Sequence, residues 1–305
     1  MERRQLLAAT AALAAWGGAT AQPAQAAGSR RANAGITVEA VQMPAWTTRD
    51  GKRRPLSPGD TVSTAQEVET AANAGLVLRM AEGSIVRLGE KTRLGVQRLE
   101  VNDADGRIAV RSQLKLFDGF FRFATSAVAK VAGQREIDVS LRTATIGIRG
   151  TDFWSMTDAE HDAACLFEGN VALATRDQGA LVLDKPTAFW ARFFNQPVKP
   201  VGNATPDELA KFLKSTELSP GKGVAVVGGR WRVVAAAAGS DATAQALATR
   251  LREAGYPAQV RARDVAGKKV HEVRINGFAT RADAAAILDR IATVDGVRGR
   301  VALSA

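Results

Sequence analysis

The stretch from Trp231 to Leu303 is written twice, and a duplicated unit narrows the possible folds more than any composition does. Shifted by forty residues, Trp231-Arg232-Val233-Val234-Ala235 lies over His271-Glu272-Val273-Arg274-Ile275, and Ala244, Leu247, Arg250 and Leu251 lie over Ala284, Ile287, Arg290 and Ile291. Each copy reads as a short alternating strand, a polar loop and a helix whose apolar residues recur at spacings of three and four. A turn follows each helix, Ala254-Gly255-Tyr256-Pro257 or Asp295-Gly296, and then a second strand, Ala258 to Arg263 or Val297 to Leu303. The order βαββαβ predicts an α+β domain over 230–305, a four-stranded antiparallel sheet with two helices on one face.

Successive side chains of a strand point to opposite sides, so alternation assigns the two faces. With Val233, Ala235, Val260, Ala262, Val273, Ile275, Gly299 and Val301 turned to the helices, the outward set holds Arg232, Val234, Ala236, Gln259, Arg261, Arg263, Val270, Glu272, Arg274, Asn276, Arg298 and Arg300. That set contains six arginines and one acid. From Gly229 onward there are thirteen Lys plus Arg and seven Asp plus Glu, a surplus of 13 − 7 = 6, within a chain whose net charge is +10. Guanidinium groups gathered on one face repel each other, and an anionic partner relieves that repulsion.

These residues resemble a known family. Val233 to Ala238 and Val273 to Phe278, each followed by a polar loop and an Ala-rich helix, are similar to the paired motifs of a SPOR domain, with Arg274-Ile275-Asn276-Gly277-Phe278 the most specific segment. The resemblance implies binding of peptidoglycan glycan strands stripped of their stem peptides, on the exposed sheet face. Stripping frees a lactyl carboxylate on each muramic residue, and arginine forks carboxylates well. The expected contact residues are Arg232, Arg274, Asn276, Arg298 and Arg300, then Arg261 and Arg263. The sequence departs from the family pattern at Val234 and at Ala236-Ala237-Ala238.

At the other end, Arg3 and Arg4 precede an apolar run from Leu6 to Trp16, and Ala24-Gln25-Ala26 offers a small-residue cleavage site, so residues 1–26 read as a cleavable export signal of the Sec or twin-arginine kind. The expected compartment is the periplasm. A single cysteine, Cys165, excludes an intrachain disulfide.

From Gly35 the text changes to short alternating runs: Ile36 to Met43, Leu76 to Met80, Ile85 to Leu88, Leu94 to Val101, Ile108 to Leu116, Phe120 to Phe123 and onward to Leu181 to Leu183. Asp50-Gly51, Glu82-Gly83, Asp105-Gly106, Asp118-Gly119 and Glu168-Gly169 punctuate them. The rhythm predicts an all-β domain over 35–200, a sandwich or a solenoid-like stack. Pro58-Gly59-Asp60-Thr61-Val62, Ala81-Glu82-Gly83-Ser84, Ala144-Thr145-Ile146-Gly147-Ile148-Arg149-Gly150-Thr151-Asp152-Phe153 and Phe167-Glu168-Gly169-Asn170-Val171 together resemble the FecR-type envelope domain. In the most specific block, Gly147 and Gly150 are expected where strands bend, and Phe153 where the chain re-enters the core. Members of that family signal to a sigma factor through a membrane helix. Only the signal-like stretch precedes Gly35 here, so the resemblance implies a periplasmic module for an envelope protein or ligand.

Between the domains, 201–229 has the composition of a linker. Thr205-Pro206-Asp207-Glu208 opens a short helix over 205–216, with Leu209, Phe212 and Leu213 on one apolar face that needs the β domain or a partner helix to cover it. No pattern points to catalysis, a metal or a cofactor. Asp158, Glu160, His161, Asp162 and Cys165 cluster within eight positions but read as a polar loop running into a strand, and Ser219-Pro220-Gly221-Lys222-Gly223 lacks the flanking residues of a phosphate loop. A nucleic-acid reading of the basic sheet lacks outward aromatics for base stacking. The reading is thus a non-catalytic cell-envelope binding protein, the alternative being a periplasmic sensor that signals through a membrane partner.

Overall fold

The protein is described by a computed structural model over residues 35–104, 107–126 and 135–304. The export signal expected at 1–26 and the Asp105-Gly106 turn lie outside these residues. No helix among them is long and apolar enough to cross a membrane.

The N-terminal part is β-rich, and its strands form two sheets. In one, Ile36–Gln42 pairs with Gly75–Arg79, and the order continues through Ile85–Leu88, the second half of Arg107–Ala124, Asp152–Thr157, His161–Glu168 and Ala188–Phe193. In the other, Lys52–Pro55 is followed by Ala45–Arg49, Gln66–Thr70, Arg93–Ala104, the first half of Arg107–Ala124, Arg135–Ser140, Ala144–Ile148, Val171–Thr175 and Gly179–Leu183. Both send apolar side chains into one core, Val38, Leu78, Phe121 and Phe153 from the first and Val68, Leu94, Leu114 and Ile146 from the second. Alternate residues fill it, as in Val171–Thr175, where buried and exposed positions take turns.

Two local expectations are corrected. Asp118-Gly119 does not end a strand: Ile108 to Leu116 and Phe120 to Phe123 are one strand, Arg107–Ala124, shared by both sheets. Gly119 takes φ 95° there, and a Cβ would sit 2.5 Å from the Thr92 Cα, so the strand changes sheets at the one residue able to bend that closely. Of the two glycines in the Ile148 block, Gly150 turns the chain with φ 78°, whereas Gly147 lies inside a strand, between Asp138 and Ala172. Phe153 is fully buried.

The segment read as a linker is built into the structure. Helix α1 (Pro206–Lys214) starts at Thr205, whose side chain and Glu208 form a reciprocal capping box. It stops two residues earlier than expected, at the C-cap Ser215, whose Oγ donates to the Phe212 carbonyl at 2.7 Å and accepts from Trp154 Nε1 at 2.9 Å. Phe212 stacks on Trp154 with ring centroids 4.1 Å apart, so the apolar face of α1 is covered by the β domain. Further on, Val224–Val226 pairs antiparallel with Ile36–Gln42 and meets Phe278 through Ala225. The first sheet thereby continues into the C-terminal part.

There the strands lie in the order Gln259–Val265, Lys268–Phe278, Trp231–Ala238 and Arg300–Leu303, all antiparallel. Helices α2 (Asp241–Glu253) and α3 (Arg281–Ile291) are capped by Ser240 and Thr280, equivalent positions of the repeat. They bury Ala244, Leu247 and Leu251, and Ala284, Ile287 and Ile291, in the core that holds Val233, Ala235, Val273 and Ile275. Fully buried Asp283, on α3, accepts from the backbone N–H of Gly221, Gly223 and Val224 at 2.8, 3.1 and 2.9 Å. The Ser219 to Gly223 stretch is therefore a clamp around a carboxylate. Arg290 donates to the Met43 carbonyl at 2.7 Å and to the Lys222 carbonyl at 2.9 Å, tying α3 to the β domain.

Removing the Asp283 carboxylate strands three N–H donors, those of Gly223 and Val224 buried and that of Gly221 partly so. Asp283→Ala should lower unfolding free energy by about 3 kcal/mol or more, the range for hydrogen bonds to a charged group lost in a buried place. Chemical denaturation checks this, and an unchanged midpoint would show that the clamp is incidental.

Candidate functional site

The outward face of the C-terminal sheet carries the residues in question, and strand register fixes which of them are neighbours. One row crosses the sheet as Arg300, Val234, Arg274 and Gln259; the next as Ala237, Glu272 and Arg261. Directly paired residues share a face, so these guanidinium groups project to the same side. A bulge corrects one expected position. The register shifts between Val234 and Ala236, the extra residue reverses the alternation, and Ala237 takes the outward place next to Glu272 while Ala236 sits opposite Val273. Val234 is outward yet 1% exposed, which the arginine stems on either side account for.

At the centre lies Glu272, whose side chain is 2% exposed. Its Oε2 accepts from Arg274 Nε at 2.8 Å, its Oε1 from Arg300 Nη2 at 3.2 Å, and Arg263 Nη1 stands 4.0 Å away. Burial favours the neutral acid. The hydrogen bond and charge of Arg274, with Arg300 and Arg263, outweigh it and hold the carboxyl below its usual range. The sequence showed this residue as the one acid in the arginine set, without its role as the hub around which that set is arranged.

Two arginines beside this hub, Arg232 and Arg261, have no carboxylate partner among the described residues. Arg232 Nε is buried and donates to no described residue. Burial, then the guanidinium of Arg274, pushes its pKa below the usual guanidinium range. Among the described residues, Arg261 makes only a 3.4 Å contact with the Gln259 amide oxygen. Both line a depression of about 460 Å³ together with Gln259, Arg274 and Asn276. Of the seven expected contact residues, Arg232, Arg261, Arg274 and Asn276 thus converge on this hollow. Arg263 and Arg300 gather at Glu272 outside it. Arg298 stands apart: it precedes the strand Arg300–Leu303, its backbone N–H donates to the Ala235 carbonyl and its guanidinium to the Val297 carbonyl. The face offers guanidinium donors and amides.

The acid cluster of the β domain is a folding element. Asp162 is fully buried and accepts from Thr143 N, Thr143 Oγ1 and Thr157 Oγ1 at 2.6, 2.7 and 2.5 Å. Burial, with a small contribution from Glu208, pushes the Cys165 thiol up to about 12, the opposite of what an active thiolate requires. No group of acids, histidines and cysteine among the described residues is arranged to hold a metal ion.

Comparison with known proteins finds two family models in the chain. The family model for the FecR protein matches residues 66–172, and that for the SPOR domain matches residues 227–299. No curated protein matches the chain. Two solved structures of a candidate anti-sigma factor from Parabacteroides distasonis ATCC 8503 are 12% identical to it. One covers 67% of this chain and 97% of its own with a TM-score of 0.36, the other 78% and 97% with a TM-score of 0.39. Likenesses this distant carry no argument about fold or activity. The chain carries a FecR domain followed by a C-terminal SPOR domain.

Proposed function

We propose that this chain is a non-catalytic cell-envelope protein that attaches to peptidoglycan glycan strands through Arg232, Arg261, Arg274 and Asn276, with Arg263, Arg298 and Arg300 adding positive charge around them. SPOR and FecR domains are binding and regulatory modules typical of the periplasm or cell envelope; the first suggests peptidoglycan binding and the second envelope signalling. On this reading the FecR domain serves an envelope protein or ligand, and the exported chain works in the periplasm.

One observation carries the glycan assignment. Five arginines, Arg232, Arg261, Arg263, Arg274 and Arg300, share a face whose one central acid is Glu272, and two of them, Arg232 and Arg261, pair with no carboxylate among the described residues. The surplus suits a repeating carboxylate polymer, and peptide-stripped glycan strands are one. Guanidinium forks bind carboxylates in two-pronged fashion, while the Asn276 and Gln259 amides suit sugar hydroxyls.

Glu272 has a double role here. It holds Arg274 and Arg300 in place, and it leaves the face positive because one carboxylate cannot neutralise five cations. Its carboxyl titrates below its usual range in the folded protein, so its contribution to stability is complete above the ordinary glutamate pKa of about 4.3 and is lost as pH falls through the folded value.

Replacing Arg232 and Arg261 together by alanine should weaken co-sedimentation with amidase-treated sacculi by at least about tenfold, since one charge-assisted hydrogen bond contributes about 1.5–3 kcal/mol. Undiminished binding by the double variant would remove the hollow from the glycan site. Glu272→Gln should cost about 1–3 kcal/mol at pH 7, an amount limited by the exposure of Arg263 and Arg300, and should flatten the acid limb of the stability curve. Thermal denaturation across pH 2 to 7 reads both effects, and a parallel pH profile in the variant would contradict the assignment.

A further inference from the structure

The hollow on the arginine face does not belong to the SPOR domain alone. Ser57 and Pro58, from the β-rich N-terminal part, line it beside Arg232, Arg261, Arg274 and Asn276. These two residues stand on a well-braced turn. Asp60 N–H donates to the Ser57 carbonyl at 3.1 Å, Ser57 N–H donates to Asp60 Oδ2 at 3.0 Å, and Gly59 N–H donates to the Val38 carbonyl at 2.8 Å. Arg54 Nη1 holds the same Asp60 oxygen at 2.9 Å.

The turn is also fixed relative to the arginines. Val38 lies on Ile36–Gln42, the strand that pairs with Val224–Val226, which in turn meets Phe278 next to Asn276 and Gly277. The Asp283 clamp and the Arg290 bonds to Met43 and Lys222 close the same junction from the helix side. A Cβ at Gly255 would lie 2.5 Å from the Trp46 ring, so the turn after α2 is pressed against the β domain as well. Several short contacts at separate points leave no hinge by which the sheet face could swing away from Ser57 and Pro58.

We propose that the glycan site is composite: the Ser57–Pro58 turn of the N-terminal domain is one wall of the hollow and contacts the saccharide held by the arginines. The inference rests on the peptidoglycan reading and deepens it by naming a specificity-determining residue outside the SPOR domain. Three guanidinium groups take the carboxylate, and the Ser57 hydroxyl and the Asn276 amide take ring hydroxyls. The Pro58 ring offers an apolar edge to the sugar C–H face. A volume of about 460 Å³ is enough room for one acidic saccharide unit of a strand that continues along the open face. A ligand seated there touches both domains at once, and its occupancy acts directly on the β domain.

Charge placed at Ser57 tests this, because Ser57 is partly exposed and its side chain takes no part in the bonds that brace the turn. The full-length protein with Ser57→Glu should bind peptide-stripped glycan strands about threefold or more weakly and Ser57→Lys correspondingly more tightly, the size of one screened charge at short range. Both effects should shrink in high salt. Opposite signs from two substitutions at one position cannot come from a packing defect, and equal thermal midpoints would exclude one independently. If Arg232→Ala with Arg261→Ala abolishes binding while neither Ser57 variant alters it, the composite wall is wrong and the glycan site stands. If the arginine variant binds normally, both ideas fall together.

Discussion

Glu272 is the interaction on which the surface chemistry of this protein depends. Five arginines on one sheet face would spread and disorder one another if nothing held them, and a full complement of acids would cancel their charge. A single buried carboxylate between Arg274 and Arg300, with Arg263 within 4.0 Å, does neither. It orders part of the set and leaves Arg232 Nε without an acceptor among the described residues. An uncompensated buried guanidinium nitrogen costs folding free energy, and an incoming carboxylate offsets that cost. On the proposed reading, the stability given up at this face returns as affinity.

The second constraint is mechanical. In a two-domain protein joined by a flexible tether, the SPOR face would search for its ligand independently of the FecR domain. Here strand Val224–Val226 is shared between the two, α1 is stacked on Trp154, and Asp283 gathers three backbone donors of the intervening loop. On the proposed reading, load applied to the sheet face by a glycan strand would be transmitted to the β domain through hydrogen-bonded strands and a buried carboxylate. That coupling gives physical content to a pairing of binding and regulatory modules in one chain.

Much of this was legible in the sequence, for identifiable reasons. The FecR and SPOR motifs were carried by short runs whose glycines and apolar residues have strict steric jobs, and the β-rich character of the N-terminal part followed from period-two alternation. Thr205 and Glu208 announced the start of α1 because a capping box is a local interaction. What the sequence hid was long-range. Proline and glycine content between the domains suggested a loose linker, yet those glycines surround the Asp283 carboxylate, whose partners lie about sixty residues away. The bulge at Ala235 came from strand pairing, which alternation along one strand cannot reveal, and it exchanged the faces of Ala236 and Ala237. Asp118-Gly119 looked like a hairpin turn and is a bend within a long strand, a choice made by the contact with Thr92. Nor could the sequence distinguish arginines lining the hollow from those bound to Glu272, since that depends on register.

The central claim is that the arginine face recognises the carboxylates of peptide-stripped glycan. It is tested most directly by measuring the affinity of the full-length protein for the same stripped strands before and after their lactyl carboxylates are converted to neutral amides. The account predicts that neutralised strands lose most of their binding and that the remainder no longer depends on salt. Equal affinity for the two preparations would contradict it.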